Sequence, residues 1–192
     1  MPILGVIASS TRQGQSTIAG SMEPIAVATV PSGGLASITF GSIPQTYTHL
    51  QLRCIIRITG ASNRESVKLQ FNSDTATNYA RHLLWGDGSS ASAYGQANDN
   101  YVLMSDFAGA SASANIYGAA VVDILDYANT NKFKTARGIG GVDLNAAVTV
   151  YDGLFSAVWR NTNAITTMTL TPFDNSNFAQ YSSFALYGIK GA

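Results

Sequence analysis

Charge is what this sequence has least of. Only 11% of its 192 residues are Asp, Glu, Lys or Arg, against about a quarter in an ordinary soluble domain. The 11 basic and 11 acidic residues cancel, so net charge offers no footprint for nucleic acid or for an anionic membrane. Ser, Thr, Asn, Gln and Gly must then cover most of the exterior. A neutral surface is poorly protected against association. That suits a protein docked in an assembly, and equally a surface that faces glycans.

Chemistry-bearing residues are scarce as well. One cysteine, Cys54, excludes an internal disulfide, and its apolar register reads as a small buried hydrophobe. Two histidines, His49 and His82, leave no paired-histidine metal motif; both are read as exposed or locally bonded. There is no G-x-S-x-G elbow and no G-x-x-x-x-G-K loop. RGIGGV at 137–142 reads as a β-turn or bulge rather than a phosphate cradle. Asp87, Asp99 and Asp106, or Asp123 with Asp126, carry hard oxygen ligands without EF-hand spacing. Lys132, Lys134 and Arg137 surround a predicted turn and read as a solvated edge, with Asp123 and Asp126 just upstream. The expectation is a protein that is not an enzyme, with no cofactor and no bound metal.

Long apolar runs are missing too. Nothing approaches the roughly 18 residues of a membrane span. The run from Ile3 to Ala8 is shorter than a signal-peptide core and has no basic flank. These absences predict synthesis in the cytoplasm without a secretory address, and no membrane partner.

What is present is a β pattern. Apolar residues make up 46% of the chain, enough for one sizeable core. In HLQLRCIIRIT, Leu50, Leu52, Cys54, Ile56 and Ile58 alternate with His49, Gln51, Arg53, Ile55 and Arg57, a strand with one buried face. Val67, Leu69 and Phe71 repeat the alternation. Further strands are predicted at 25–30, 35–40, 79–86, 101–107, 115–126, 132–139, 147–159, 165–171 and 182–190. Turn-forming SGG, TGAS, GDGSS, GASAS and DNSN clusters separate several of them. The best helix candidate, 123–131, offers about a turn. Ten or eleven strands without helices predict an all-β antiparallel β-sandwich, with a jelly roll as the favoured version.

Residues 1–22 differ from the rest. A short apolar patch precedes a small, polar stretch in which Arg12 is the sole charge before Glu23, a linker composition. Two domain-level units follow: an extended N-terminal docking arm over 1–22, and a sandwich over 23–192. Ile3, Leu4, Val6 and Ile7 are the candidate docking residues. Twenty extended residues reach about 65 Å, enough to cross to a neighbouring subunit. The alternative is an arm folded back on its own domain. The loop predicted over 86–100, with Tyr94, Gln96 and Asn98, is the candidate outward contact surface.

Two long segments carry a resemblance. SMEPIAVATVPSGGLASITFGSIPQTYTHLQLR at 21–53 contains an E-x-I-A-x-x-x-V strand (Glu23, Ile25, Ala26, Val30), and NFAQYSSFALYGIKG closes the chain. With FNSDTATNYARHLLWGDGSS, VVDILDYANTNKFKT and NTNAITTMTLTP between them, they resemble small β-sandwich virion proteins of tailed bacteriophages. The resemblance spans nearly all of 22–191 and brings no catalytic residues. It implies a place on the virion exterior in many copies: a capsid decoration or fibre subunit, or alternatively a tail accessory or a receptor- or glycan-binding module. The partners it implies are other virion proteins, further copies of the chain (a trimer being the symmetry that suits outward-facing jelly rolls) and a host surface glycan.

Overall fold

Residues His49–Ile56 form a strand whose even-numbered positions, Leu50, Leu52, Cys54 and Ile56, are buried while Gln51, Arg53 and Ile55 face outward. This period of two runs through the computed structural model, which describes residues 21–145 and 150–191. In chain order the strands are β1 (Met22–Thr29), β2 (Ile38–Phe40), β3 (His49–Ile56), β4 (Arg64–Phe71), β5 (Tyr79–Gly86) and β6 (Ala91–Asp99). They continue with β7 (Val102–Ala108), β8 (Gly118–Leu125), β9 (Lys134–Asp143), β10 (Val150–Trp159), β11 (Met168–Pro172) and β12 (Ser183–Ile189). No helix is found among the described residues, so none is long and apolar enough to cross a membrane.

The strands make two sheets. An eight-stranded sheet has the order β1-β12-β3-β8-β9-β10-β5-β6, and a four-stranded sheet the order β2-β11-β4-β7. Every strand pairing in both is antiparallel. The chain crosses repeatedly from one sheet to the other, the jelly-roll-like sandwich expected from the sequence. Between the layers lies one main core. Phe71, Tyr79 and Trp159 pack there with ring centroids 5.7–6.3 Å apart, and the Tyr79 hydroxyl accepts the Phe71 N–H at 2.9 Å. Phe178 and Phe184 meet edge to face at 5.0 Å. Burial of such side chains is the dominant favourable contribution to folding.

Three expectations need correction. The segment 86–100 is not a long loop: a tight turn at 87–90 leads into β6. There the Asp87 carboxylate accepts the N–H groups of Ser89 and Ser90 at 2.9 and 2.7 Å, and Gly88 takes φ +86°, a conformation open to glycine. RGIGGV is not a turn or bulge either, since it lies inside β9. A Cβ on Gly138 would collide with the Phe155 ring and come within 2.6 Å of the Val121 carbonyl. The glycine therefore permits close approach of side chain and backbone, not a reversal. Lys134 is no solvated edge residue: it is fully buried and donates to the carbonyls of Asn129, Lys132 and Thr162. The first strand, β1, begins at Met22. Residues 1–20 of the predicted arm, with Ile3, Leu4, Val6 and Ile7, lie outside the described residues.

Candidate functional site

Only one face of the eight-stranded sheet packs against the smaller sheet. On the other, register aligns the outward residues in rows. One row runs through all eight strands: Val27, Ala185, Arg53, Val121, Ile139, Leu154, Leu84 and Ala93. Seven of these eight residues are apolar, where an antiparallel sheet with one solvated face is normally polar. Val27, Ile139, Leu154 and Leu84 are each more than half exposed.

The next row is polar. It pairs Gln51 with Asp123, Asp123 with Arg137, Arg137 with Ser156, Ser156 with His82 and His82 with Gly95. Its members are tied together: Gln51 donates to Asp123 at 2.8 Å, Arg53 donates to Gln51 at 2.8 Å, and Arg137 lies 3.8 Å from the Asp123 carboxylate. Opposite charges in neighbouring positions leave this row near neutral. Arg53 also covers the outward ring of Tyr187 at 5.6 Å, a cation–π contact.

Between the two rows lies a groove of about 760 Å³, lined by outward side chains of β8, β9, β10, β5 and β6, Leu84, Ile139, Leu154, His82, Arg137 and Ser156 among them. That volume falls within the range of small-ligand pockets. A smaller depression, floored by Ala119, Gly140 and Gly141, flanks the apolar row on its other side. The large exposed aliphatic residues stand between the two, so the face is corrugated rather than flat.

The predicted contact residues lie together on β6, and of the three only Tyr94 is among the residues lining the groove. Tyr94 pairs with the inward-facing Leu83, so its ring turns to the opposite side of the sheet and sits 5.4 Å from the Arg81 guanidinium. Its hydroxyl donates to Gln96 at 3.0 Å, Gln96 donates to the Asn98 carbonyl at 3.2 Å, and Arg160 donates to the Asn98 side chain at 2.9 Å. Arg81 is held between Tyr94 and Tyr101 and paired with Asp99 at 2.5 Å. Its Nη1, buried, has no hydrogen-bond partner among the described residues.

The remaining candidates are accounted for locally. Burial pushes the Cys54 thiol up to about 12, against the pull of a hydrogen bond to the Ala120 carbonyl, so no thiolate is available at neutral pH. The His49 ring accepts the Asp126 N–H at 3.0 Å, whereas His82 lines the groove. Asp87 caps its own turn, and hydrogen bonds from Ser89 and Ser90 hold its carboxyl below the usual range. Asp99 and Asp106 pair with Arg81 and Arg64, and Asp126 with Lys132. Among the described residues no three metal-ligating side chains lie together.

Comparison with known proteins adds little to this geometry. No protein-family model and no curated protein matches the chain. Among solved structures it is similar to a marine PL-14 alginate lyase from Aplysia kurodai, at 8% identity and TM-score 0.33, over 77% of this chain and 70% of that one. It is also similar to Caenorhabditis elegans galectin LEC-6, at 6% identity and TM-score 0.33, over 83% and 94%. The third is the Emp47p carbohydrate recognition domain, at 8% identity and TM-score 0.31, over 88% and 98%. At these TM-scores the similarity carries no functional argument.

Proposed function

We propose that this protein is a non-enzymatic component of the exterior of a bacteriophage particle, a capsid decoration or fibre subunit. Residues 1–22 dock it, and the sandwich displays its large sheet. One observation carries this reading: the first strand and the groove lie on different parts of the large sheet. The N-terminal segment enters at β1, one edge of the sheet, while the groove lies across β8, β9, β10, β5 and β6. With strands about 4.8 Å apart, β10 is roughly 24 Å from that edge. A subunit held at one edge therefore keeps the groove free. The sequence resemblance to phage virion proteins and the low surface charge support the same reading.

The decisive experiment removes residues 2–20. The truncated chain is expected to keep its β-sheet spectrum and melting behaviour and to fail to incorporate into particles. Full incorporation of the truncated chain overturns the docking assignment.

A second reading, recognition of a receptor or host glycan, is favoured by the two rows themselves. An apolar row beside a neutral row of donors and acceptors matches a ligand with a C–H face and a hydroxyl-bearing edge. A glycan array tests it with the intact protein and with Arg137→Ala. Binding to defined glycans that Arg137→Ala weakens supports this reading, and no binding to any glycan overturns it.

A further inference from the structure

The sandwich has four sheet edges, and they are not protected alike. An exposed edge strand presents unpaired N–H and C=O groups that template pairing with another chain, and proteins blunt such edges with proline, charge, bulges or shortness. Edge strand β1 carries Pro24, which has no N–H to offer, together with a bulge between Pro24 and Ala26 and the Glu23–Lys190 ion pair. Edge strand β2 is three residues long. Edge strand β7 pairs with β4 through an irregular register and carries the buried Asp106, ion-paired with Arg64 at 3.3 Å.

Edge strand β6 has few of these devices. It is nine residues long and free of proline, lysine and arginine. Its single charge, Asp99, is the last residue and is spent on Arg81. A register shift and Arg160, which donates to the Ala97 carbonyl and the Asn98 side chain, cover one end. The stretch Ala91–Gly95 remains, every residue exposed and none charged.

We infer that β6 is a self-association edge, and that its occupant is the β6 of a second copy, antiparallel about a two-fold axis near Ala93. The residues themselves select a copy as the partner. An axis normal to the sheet sets outward residues opposite outward residues, as a continuous sheet requires. Centred on Ala93, it places Ala93 against its own counterpart, Ser92 against Tyr94 and Ala91 against Gly95. Within Ala91–Gly95 no like charges meet, and on the outward face only Ala and Gly oppose each other. The row Ile139–Leu154–Leu84–Ala93 would then run on into its counterpart, joining two grooves into one extended face. This goes beyond the virion reading, which says nothing about which strand meets which copy.

Three variants of the full chain and one truncation test it, by sedimentation and by oxidation. The intact protein is expected to sediment as a concentration-dependent dimer. Ala93→Lys, which sets two cations against each other, should weaken that dimer by about tenfold or more while leaving the melting curve in place. Ala93→Cys should form a covalent dimer under mild oxidant much faster than Val27→Cys on the opposite edge, because only the first places two thiols within disulfide range. Cys54 is buried and does not compete. A chain that stays monomeric, a dimer indifferent to Ala93→Lys, or equal cross-linking at both edges overturns the inference. So does a dimer lost on removing residues 2–20 and unaffected at β6, which would make the N-terminal segment the occupant.

Discussion

Leu154 and Ile139 stand opposite each other on neighbouring strands, and both turn more than half of their surface to solvent. Apolar side chains this exposed contribute little to folding. Leu154→Asn is expected to change stability by no more than about 0.5 kcal/mol, the usual range for surface positions. That corresponds to a melting shift of roughly 1–2 °C for a chain of this size. The same substitution should reduce binding of particles carrying it to host cells. Thermal melts and a cell-adsorption assay check the two halves; a large loss of stability would place Leu154 in the fold rather than at the site.

The Arg81–Asp99 pair behaves in the opposite way. Its two side chains are only 9% and 10% exposed, and one nitrogen of Arg81 has no partner among the described residues. Asp99→Asn would leave a buried guanidinium without its counter-charge, at a cost of about 3–5 kcal/mol. Denaturant unfolding measures it. An effect below about 1 kcal/mol would show that water reaches the guanidinium.

Asp74 supplies a pH signature. Burial pushes its carboxyl up, but hydrogen bonds from Asn78, Trp159, Ala76 and Asn161 together outweigh that and hold it below the usual range. The Trp159 indole N–H alone approaches to 2.7 Å. A carboxyl held low in the folded state contributes stability above its unfolded value of about 3.9, and that stability is lost as pH falls through the folded value. Asp74→Asn should therefore lower stability at neutral pH and flatten the decline below about pH 4. Acid titration of denaturant midpoints, followed by Trp159 fluorescence, checks it; parallel curves for the two proteins would contradict it.

Lys134 is expected to be intolerant of replacement although its neighbours Lys132 and Phe133 are exposed. Its ammonium ties the turn carbonyls of Asn129 and Lys132 to Thr162. Lys134→Met keeps the stem and removes the donors, costing roughly 2 kcal/mol or more, because several carbonyls lose a partner together. Lys132→Met should cost less than about 0.5 kcal/mol. Comparison of the two melting curves distinguishes a buried tie from a general charge effect.

The layering of the sandwich was legible in the sequence because one buried face writes itself as alternation. Leu50, Leu52, Cys54, Ile56 and Ile58, and Phe184 with Leu186, are buried as their period required. Strand β6 was not legible. Alternation records burial, and Ala91–Asp99 is an edge whose side chains are almost all exposed, so its backbone pairing with β5 leaves no apolar signal. Lys134 was misread because its charge is answered by the carbonyls of Asn129 and Lys132 in the preceding turn and of Thr162 further on, which composition does not reveal. The groove was invisible for a different reason. Val121, Ile139, Leu154 and Leu84 come from four strands, and only pairing register brings them into one row. The available hint was an aliphatic residue at the outward position of strand after strand.

A place on the outside of a phage particle is tested by locating the protein there. An antibody against the sandwich, applied to purified intact particles under electron microscopy, should label the exterior in many copies over the head if the protein is a decoration or fibre subunit. Label confined to the tail would transfer it to a tail accessory. Particles that carry no label, and no copies of the chain by mass spectrometry, would contradict the account.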